Sequence, residues 1–307
     1  MKLSIIVPCF NEQEVIRETH KRLVQVDYMG MEPEIIYVND GSRDNTLSIL
    51  KEIAGEDSRA KVVSFQKNFG HQPAVSAGIK YASGDALVII DADLQDPPDL
   101  IPKMIEKWRE GYDIVYGKRA KRKGESIFKL ITAWGYYRVL GFLGGDFIPK
   151  DTGDFRLIDR KVADFLNSLS ERNRFLRGLT AWAGFRSIPV EYVRDERFAG
   201  ETKYTLKKML RLAEDGITSF SDKPLKLSFG IGALAGILGF LYMIASIVIW
   251  VMGNPLGSLH FVLSLLSMLM ALLFICIGVV GLYLSRIYDE AKGRPYYIIG
   301  ETVNFED

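Results

Sequence analysis

Charge of either sign is missing from a long stretch near the C-terminus of this 307-residue chain. Asp, Glu, Lys and Arg are all absent between Lys226 and Arg286, and a turn at 253–257 divides the stretch into two apolar runs, 227–252 and 259–285. Each run exceeds the ~20 residues that a helix needs to cross a bilayer. The sequence therefore predicts two transmembrane helices joined by a short turn. An apolar hairpin buried in a large soluble core is the alternative.

The net charge is also small, and cysteine and histidine are few. Each of these observations narrows the possible functions. The formal net charge of +1 gives no argument for a nucleic-acid partner, and none is expected. The two cysteines, Cys9 and Cys276, belong to separate segments, so neither a disulfide nor a cysteine metal site is predicted. His71 has no second histidine near it in sequence, which favours a capping or ligand-contacting side chain over a metal ligand.

Basic residues flank the two apolar runs at their outer ends. Lys223 and Lys226 precede the first run, while Arg286, Lys292 and Arg294 follow the second, and the connecting turn has no Lys or Arg. The positive-inside rule then places both ends in the cytoplasm. We therefore expect an inner-membrane protein with two spans, whose N-terminal part and both termini are cytoplasmic.

The first two thirds of the chain alternate between strand-like and helix-like segments. Strands are predicted at 3–8, 34–39, 61–65, 86–90, 113–116, 157–158 and 188–193, and helices at 12–26, from 44 or 45, at 73–82, at 97–110 and near 161–169. Asn11 and Asp96 are expected to cap helices, and Gly84 to end one. This alternation predicts an α/β fold, a mostly parallel sheet with helices on both faces.

Two aspartates, Asp91 and Asp93, directly follow the predicted strand at 86–90. Carboxylates at the carboxyl end of such a strand point into the crevice in which open α/β sheets bind ligands. An Asp at this position often caps the next helix, but Asp96 and Pro97 already provide a helix start, which leaves the earlier pair for another purpose. Carboxylates suit a hard cation such as Mg²⁺, which proteins hold with one or two of them plus substrate phosphates.

Four motifs, in order along the chain, resemble those of family 2 glycosyltransferases. They are Val7-Pro8-Cys9-Phe10-Asn11-Glu12, Val38-Asn39-Asp40-Gly41-Ser42, Asp91-Ala92-Asp93-Leu94-Gln95-Asp96-Pro97-Pro98 and Gly153-Asp154-Phe155-Arg156-Leu157. With the two spans, the chain is similar to the branch that charges polyprenyl phosphates, the dolichol-phosphate mannose synthases and bactoprenol glucosyltransferases. The resemblance implies a GT-A-type fold with a C-terminal transmembrane hairpin. It also implies inverting transfer from a nucleotide-sugar, with UDP-glucose favoured, to a polyprenyl phosphate such as undecaprenyl phosphate.

The resemblance assigns roles around a metal ion. A departing nucleotide leaves negative charge on its diphosphate, and a cation neutralises such charge. Asp93 is expected to bind Mg²⁺ or Mn²⁺ directly, with Gln95 beside it and Asp91 supporting the metal or the ribose.

The nucleoside pocket is assigned in the same way. Asp40 would contact the base, and since uracil and guanine both offer a ring N–H, uridine and guanosine donors stay open. Pro8 and Glu12 would line this pocket. The resembling enzymes usually have Asp where this chain has Asn39.

The acceptor phosphate needs positively charged side chains to bind it. A phosphate monoester is largely ionised near neutral pH, because its second pKa is about 6. By resemblance, Arg119, Lys129 and Thr132 would bind the acceptor phosphate. The alternative for the basic segment 118–123 is general attraction to anionic headgroups.

Three further residues complete the expected site. Arg197 and Lys203, in a second basic loop, would meet the donor phosphates or the acceptor. Asp154 would lie in the crevice and either orient the donor sugar or act as a weak base. A charge pair with Arg156 or Arg160 is the alternative for Asp154.

The expected organisation has four parts: a catalytic domain at 1–204, an amphipathic juxtamembrane helix at 205–225, two spans over 226–288 and a tail at 289–307. The segment 127–143 is also amphipathic, and both such segments suit either the membrane surface or a protein core. The expected partners are a nucleotide-sugar, a polyprenyl phosphate and the bilayer, and a homo-oligomer is left open.

Two other classes of protein stay open. A processive polysaccharide synthase would share the metal motif, but that class carries a Gln-x-x-Arg-Trp segment, which this chain lacks, and needs more spans. A catalytically inactive membrane scaffold with a transferase fold is the second alternative. The intact Asp40, Asp91 and Asp93 argue against it.

Overall fold

A computed structural model of the chain describes residues 1–119, 152–171, 174–193, 223–253 and 255–305. The chain divides into two compact units, of which the first comprises Met1–Arg138, Asp146–Leu212 and Arg294–Asp307, and the second Val139–Gly145 and Ala213–Gly293. The amphipathic segment predicted at 127–143 lies outside the described residues, and so does the juxtamembrane segment as far as residue 222.

One eight-stranded sheet organises the first unit. Its strands are β1 (Lys2–Cys9), β2 (Glu32–Asn39), β3 (Ala60–Phe65), β4 (Ala86–Ile89), β5 (Ile114–Arg119), β6 (Thr152–Asp159), β7 (Ser187–Tyr192) and β8 (Ile299–Val303). Their order across the sheet is β7-β5-β6-β4-β1-β2-β3-β8.

The direction of each strand decides which loops meet. β1 pairs in parallel with β2 and β4, and β2 with β3, so these four strands end at the same edge of the sheet. β6 runs antiparallel to β4 and begins at that edge, whereas β5 runs antiparallel to β6 and ends there. Segments far apart in sequence are thereby gathered at one crevice, as expected for an open α/β sheet.

Helices pack on both faces of this sheet. They are α1 (Ile16–Gln25), α2 (Thr46–Glu56), α3 (His71–Tyr81), α4 (Ile101–Arg109) after a 3₁₀ turn at Pro98–Leu100, α5 (Arg160–Ser168) and α6 (Leu176–Trp182). Neighbouring residues of a strand point to opposite faces. Ile5 of β1 joins a buried cluster with Ile16 and Leu50, whereas Ile6 meets α3, where a Cβ at Gly78 would lie 2.2 Å from its Cγ2. The predicted α/β arrangement is confirmed.

Two of the predicted helix boundaries are wrong. Asn11 does not cap α1, because it has a positive φ of 54° and its side-chain oxygen accepts from the N–H of Arg43. Gly84 does not end α3, which stops at Tyr81. A Cβ at Gly84 would lie 2.7 Å from the backbone nitrogen of Ser4, so this glycine allows a close approach to β1.

The strand β8 was not predicted. It lies within the segment expected as a tail and pairs antiparallel with β3 at the edge of the sheet. Just beyond it, the amide of Asn304 donates to the carbonyl oxygens of Ala54 and Ala60 at 2.7 and 2.9 Å. The C-terminal residues are thus part of the first unit.

The second unit contains the two apolar helices, α7 (Lys223–Val251) and α8 (Pro255–Ala291). Within them, Lys223–Ile249 and Met268–Ala291 reach mean hydropathies of 2.2 and 2.5. Large apolar side chains cover their surface, and Phe229 is 80% exposed in the isolated chain. Apolar surface on this scale suits lipid better than water. By length and composition, both helices could span a membrane.

Candidate active site

The loops after β1 and β2 are joined by hydrogen bonds at the carboxyl edge of the sheet. The N–H of Asn11 donates to Ser42 Oγ at 3.0 Å, and the N–H of Glu12 donates to Thr46 Oγ1 at 2.8 Å. The predicted pocket residues Pro8 and Glu12 therefore lie in a segment that is fixed to the loop after β2.

Asp40 is the first residue after β2 and is only 3% exposed. Its carboxylate accepts from the N–H groups of Phe69 and Gly70 at 2.6 and 2.9 Å, and from the side-chain amide of Asn68 at 2.8 Å. Burial raises the pKa of Asp40, and the two backbone N–H groups oppose that rise. Asp40 thus holds the 68–70 loop, a role that the sequence did not reveal.

The loop after β4 presents polar side chains on one side. Asp91, Asp93 and Gln95 are half-exposed, whereas the residues between them are buried. Leu94 has a φ of +59°, which is uncommon for a residue with a branched side chain. Backbone strain of this kind costs about 1–3 kcal/mol and persists where surrounding packing enforces it, often at functional sites. The alternation leaves three oxygen-bearing side chains at the crevice.

Asp93 and Asp96 have local roles that the sequence did not predict. Asp93 Oδ1 accepts from the N–H of Gln95 at 3.2 Å and so stabilises the turn. Asp96 is not a helix cap: it is fully buried, its Oδ1 accepts from the hydroxyl of Tyr192 in β7, and the 3₁₀ turn begins later, at Pro98. The alternation along the loop turns Asp96 inward, which overrides the local Asp-Pro signal.

Asp154, His71 and Arg177 bring charges from three elements together. Asp154 in β6 accepts two hydrogen bonds from Arg177 of α6, from Nε at 2.6 Å and from Nη2 at 2.7 Å. His71 Nε2, at the start of α3, lies 3.1 Å from Asp154 Oδ2 and 3.9 Å from Asp91 Oδ1. His71 therefore connects Asp154 to the loop after β4.

These charges shift one another's pKa values. Burial, with the nearby carboxylates, raises the pKa of Asp91 to about 6 although His71 opposes the rise. Burial lowers the pKa of His71, but its hydrogen bond to Asp154 and the charge of Asp91 outweigh burial and raise that pKa to about 9. Burial would raise the pKa of Asp154, but Arg177 and His71 hold it well below the usual range. Asp154 is therefore a poor proton acceptor, which favours an orienting role.

The two arginines considered as partners of Asp154 form other hydrogen bonds, although Arg156 Nε also donates to the backbone carbonyl oxygen of Asp154 at 3.3 Å. Arg156 is buried and donates to Thr180 Oγ1 at 3.0 Å and to the carbonyl oxygen of Gly153 at 3.2 Å. Arg160 donates to the carbonyl oxygen of Gly84 at 2.8 Å, beyond the end of α3. The side chains that pair with the Asp154 carboxylate are Arg177 and His71, and no motif in the sequence indicates Arg177.

Several predicted site residues lie outside what the structure describes. Lys129, Thr132, Arg197 and Lys203 fall in the segments 120–151 and 194–222. Arg119 ends β5 at the carboxyl edge of the sheet, but its side chain is not described. Their roles stay predictions.

The oxygen donors fit a cation that is shared with a ligand. Among the described residues, no group of three or more His, Cys, Asp or Glu side chains could hold a metal ion by itself. Asp91, Asp93 and Gln95 offer two carboxylates and an amide from half-exposed positions. Mg²⁺ accepts such a set, because it retains waters and binds substrate phosphates alongside one or two carboxylates. Carboxylate and carbonyl oxygens also suit Mn²⁺.

Comparisons with known proteins identify the family. The family model "Glycosyl transferase family 2" matches residues 4–166. The uncharacterized glycosyltransferase YkcC of Bacillus subtilis is 50% identical over 100% of this chain and 96% of its own length. The bactoprenol glucosyl transferase of Shigella phage SfII is 42% identical over 97% of each chain. The chain therefore belongs to glycosyl transferase family 2, and the predicted family, the GT-A-type fold and the class of enzyme are confirmed.

A solved structure with a similar fold is more distant. Glucosyl-3-phosphoglycerate synthase from Mycobacterium tuberculosis, in complex with Mn²⁺, uridine-diphosphate and phosphoglyceric acid, has a TM-score of 0.49 at 20% identity. The match covers 71% of this chain and 76% of that one.

Proposed function

We propose that this protein transfers a sugar, with inversion, from a nucleotide-sugar to a polyprenyl phosphate at the cytoplasmic face of the membrane. UDP-glucose is the favoured donor and undecaprenyl phosphate the favoured acceptor. One observation carries the proposal: Asp40, the pair Asp91 and Asp93, and Asp154 converge at one edge of a sheet, in a chain with two apolar helices. The bactoprenol glucosyl transferases among its relatives support the glucosyl group and the lipid acceptor.

Asp40 and its surroundings receive the nucleoside. The carboxylate accepts three hydrogen bonds from the 68–70 loop. An ionised carboxylate offers about four acceptor positions, so a ring N–H of uracil or guanine can add one more. Pro8 and Glu12 flank this pocket. The side chain of Asn39 has a structural role, because its amide donates to Ser64 Oγ at 2.9 Å.

The donor diphosphate lies at the loop after β4. Asp93 holds Mg²⁺ or Mn²⁺, with Asp91 and Gln95 in support. A divalent cation bound there supplies the charge neutralisation that the leaving diphosphate requires. Asp154, fixed by Arg177 and His71, orients the donor sugar.

The acceptor side of the reaction needs little proton transfer. A polyprenyl phosphate is already an anion near neutral pH, which agrees with the low basicity of Asp154. Arg119, Lys129 and Thr132 bind that anion, and Arg197 and Lys203 contact the phosphates of donor or acceptor. The two apolar helices keep the enzyme at the bilayer, to which the phosphate of a long polyprenol is confined.

The proposal is tested with the purified full-length protein in vesicles that contain undecaprenyl phosphate. UDP-glucose, UDP-N-acetylglucosamine and GDP-mannose are supplied in turn with Mg²⁺ or Mn²⁺, and the glycolipid is detected by mass spectrometry. We expect one lipid-linked monosaccharide of inverted configuration, and none in the presence of EDTA. Asp93→Asn should abolish it, whereas the matched control Asp99→Asn, at an exposed position of the 3₁₀ turn, should not.

Other outcomes point to other functions. A polymeric product would favour a processive synthase. Absence of turnover with every donor, in protein that is folded, would favour an inactive scaffold. Retention of more than a tenth of the activity in Asp93→Asn would show that Asp93 is not the principal metal ligand.

A further inference from the structure

The residues that follow α8 contact the loop that holds Asp40. We call residues 296–305 the C-terminal strap; they include β8, which runs along β3. The ring of Tyr297 stacks on Phe65 at the end of β3, with centroids 4.9 Å apart and planes 11° from parallel. The N–H of the next residue, Gln66, donates to the carbonyl oxygen of Ile298 at 3.0 Å. The C-terminal strap thus contacts the start of the loop after β3.

The same loop reaches the Asp40 carboxylate a few residues later. Phe65 meets the ring of Phe69 edge to face, with centroids 5.7 Å apart at 90°. The N–H of Phe69 donates to Asp40 Oδ1 at 2.6 Å. Aromatic pairs in these geometries stabilise a structure beyond the area that they bury. One ring, that of Phe65, therefore links Tyr297 to a residue that donates to Asp40.

The loop also packs directly on the turn after Asp40. Gly41 has a φ of +60°, and a Cβ there would lie 2.3 Å from the carbonyl carbon of Lys67 and 2.6 Å from the nitrogen of Asn68. Backbone therefore touches backbone at this point. A shift of the loop changes both the donors around Asp40 and the shape of the pocket beside it.

We propose that the C-terminal strap sets the geometry of the nucleoside pocket, with Tyr297 as a positioning residue that acts on Asp40 through Phe65 and Phe69. The inference rests on the proposed assignment of Asp40 to the nucleoside of the donor. Tyr297 itself touches neither Asp40 nor, in this scheme, the nucleotide.

The strap provides its own control. Phe305, at its far end, packs edge to face against Tyr81 with centroids 5.0 Å apart, and Lys61 Nζ lies 5.0 Å from the centroid of its ring. These contacts lie at the end of α3 and the start of β3, whereas Phe65 ends β3. Removal of the Phe305 ring should destabilise the strap without disturbing the loop at Asp40.

The test compares Tyr297→Ala, Tyr297→Phe and Phe305→Ala in the full-length protein in detergent. Hydrogen exchange, read by mass spectrometry, reports on the amides of Phe69 and Gly70, and calorimetry gives the Kd of UDP and GDP with Mg²⁺. Tyr297→Ala should speed that exchange and weaken nucleotide binding about fivefold, which corresponds to ~1 kcal/mol. Tyr297→Phe should match the wild type. Phe305→Ala should lower the Tm but leave the Kd unchanged.

Three results would overturn the inference. Folded Tyr297→Ala could bind nucleotide as the wild type does, or Phe305→Ala could weaken binding equally. Should Tyr297→Ala not fold, Tyr297→Leu, which keeps apolar contact but no ring, is judged by the same criteria. A wild-type protein that binds neither UDP nor GDP would refute the donor-site assignment itself, and the inference with it.

Discussion

Glu34, near the start of β2, should make a large contribution to stability that depends on pH. Its side chain is 3% exposed. Its carboxylate accepts from Ser4 Oγ at 2.5 Å and from the N–H of Ser83 at 2.7 Å, and pairs with the amines of Lys2 and Lys61 at 2.8 and 3.1 Å. This network fastens β1, β2 and β3 to the segment before β4, at the edge of the sheet opposite to the crevice.

The pKa shift gives the size of the effect. Burial raises the pKa of Glu34, but the hydrogen bonds outweigh burial and lower it from 4.5 to about 2. Each unit of pKa difference corresponds to ~1.36 kcal/mol, so the charged network favours the folded state by ~3 kcal/mol. Because the folded pKa is depressed, this stabilisation is complete above pH 4.5 and is lost as the pH falls from 4.5 through about 2.

Glu34→Gln keeps the size of the side chain and removes its charge. The wild type should lose up to ~3 kcal/mol more stability than the variant on acidification, about 6–12 °C in Tm for a domain of this size. Tryptophan fluorescence of the full-length protein in detergent, heated at pH values from 7 to about 2, measures the difference. Glu32→Gln, at the exposed start of the same strand, is the control. Parallel curves for wild type and Glu34→Gln would refute the reasoning.

Three further predictions concern the site. Arg177→Gln should lower kcat at least tenfold, or ~1.4 kcal/mol, with little change in UDP affinity, because Arg177 fixes Asp154 and not the nucleoside pocket; kinetics and calorimetry check this, and an unchanged kcat contradicts it. Tyr192→Phe removes the hydroxyl that donates to buried Asp96, at a cost of about 1–3 kcal/mol, and should raise the Mn²⁺ concentration for half-maximal activity; a metal titration that matches the wild type contradicts it. Arg119→Ala should raise the KM for the lipid phosphate more than that for the nucleotide-sugar, and equal effects would move Arg119 to the donor site or to general folding.

The central strands could be predicted from local pattern, whereas the edge strand could not. β4 is a continuous apolar run and β1 is mostly apolar, since both faces of these central strands are covered. β8 alternates between half-buried and exposed residues and has no buried side chain. Its pairing with β3 joins segments far apart in the sequence, and no local window contains that information.

The same distinction applies to the site. Asp40, Asp91 and Asp93 could be proposed as site residues from the sequence because they follow strands within recognisable motifs. Arg177 and Tyr192 could not, since each acts through a tertiary contact with a residue on another element. Asp96 was assigned to a helix cap on the strength of the prolines that follow it, but complete burial gave it a different partner.

The pairing of β8 with β3 also constrains how the chain can cross a membrane. Residues 294–307 belong to the same compact unit as the N-terminal strands, and the two apolar helices lie between them in sequence. If these helices cross a bilayer, the crossings must be even in number, because the chain has to return to the side on which β3 lies. A single crossing would place β8 and β3 on opposite sides of the bilayer. It would also leave the apolar surface of the second helix exposed to water. Two crossings keep β3 and β8 on the same side of the bilayer, and the proposal that this side is cytoplasmic depends on the basic residues at the outer ends of the helices. The pairing of β8 with β3 thus excludes a single crossing and agrees with the two crossings of the predicted hairpin.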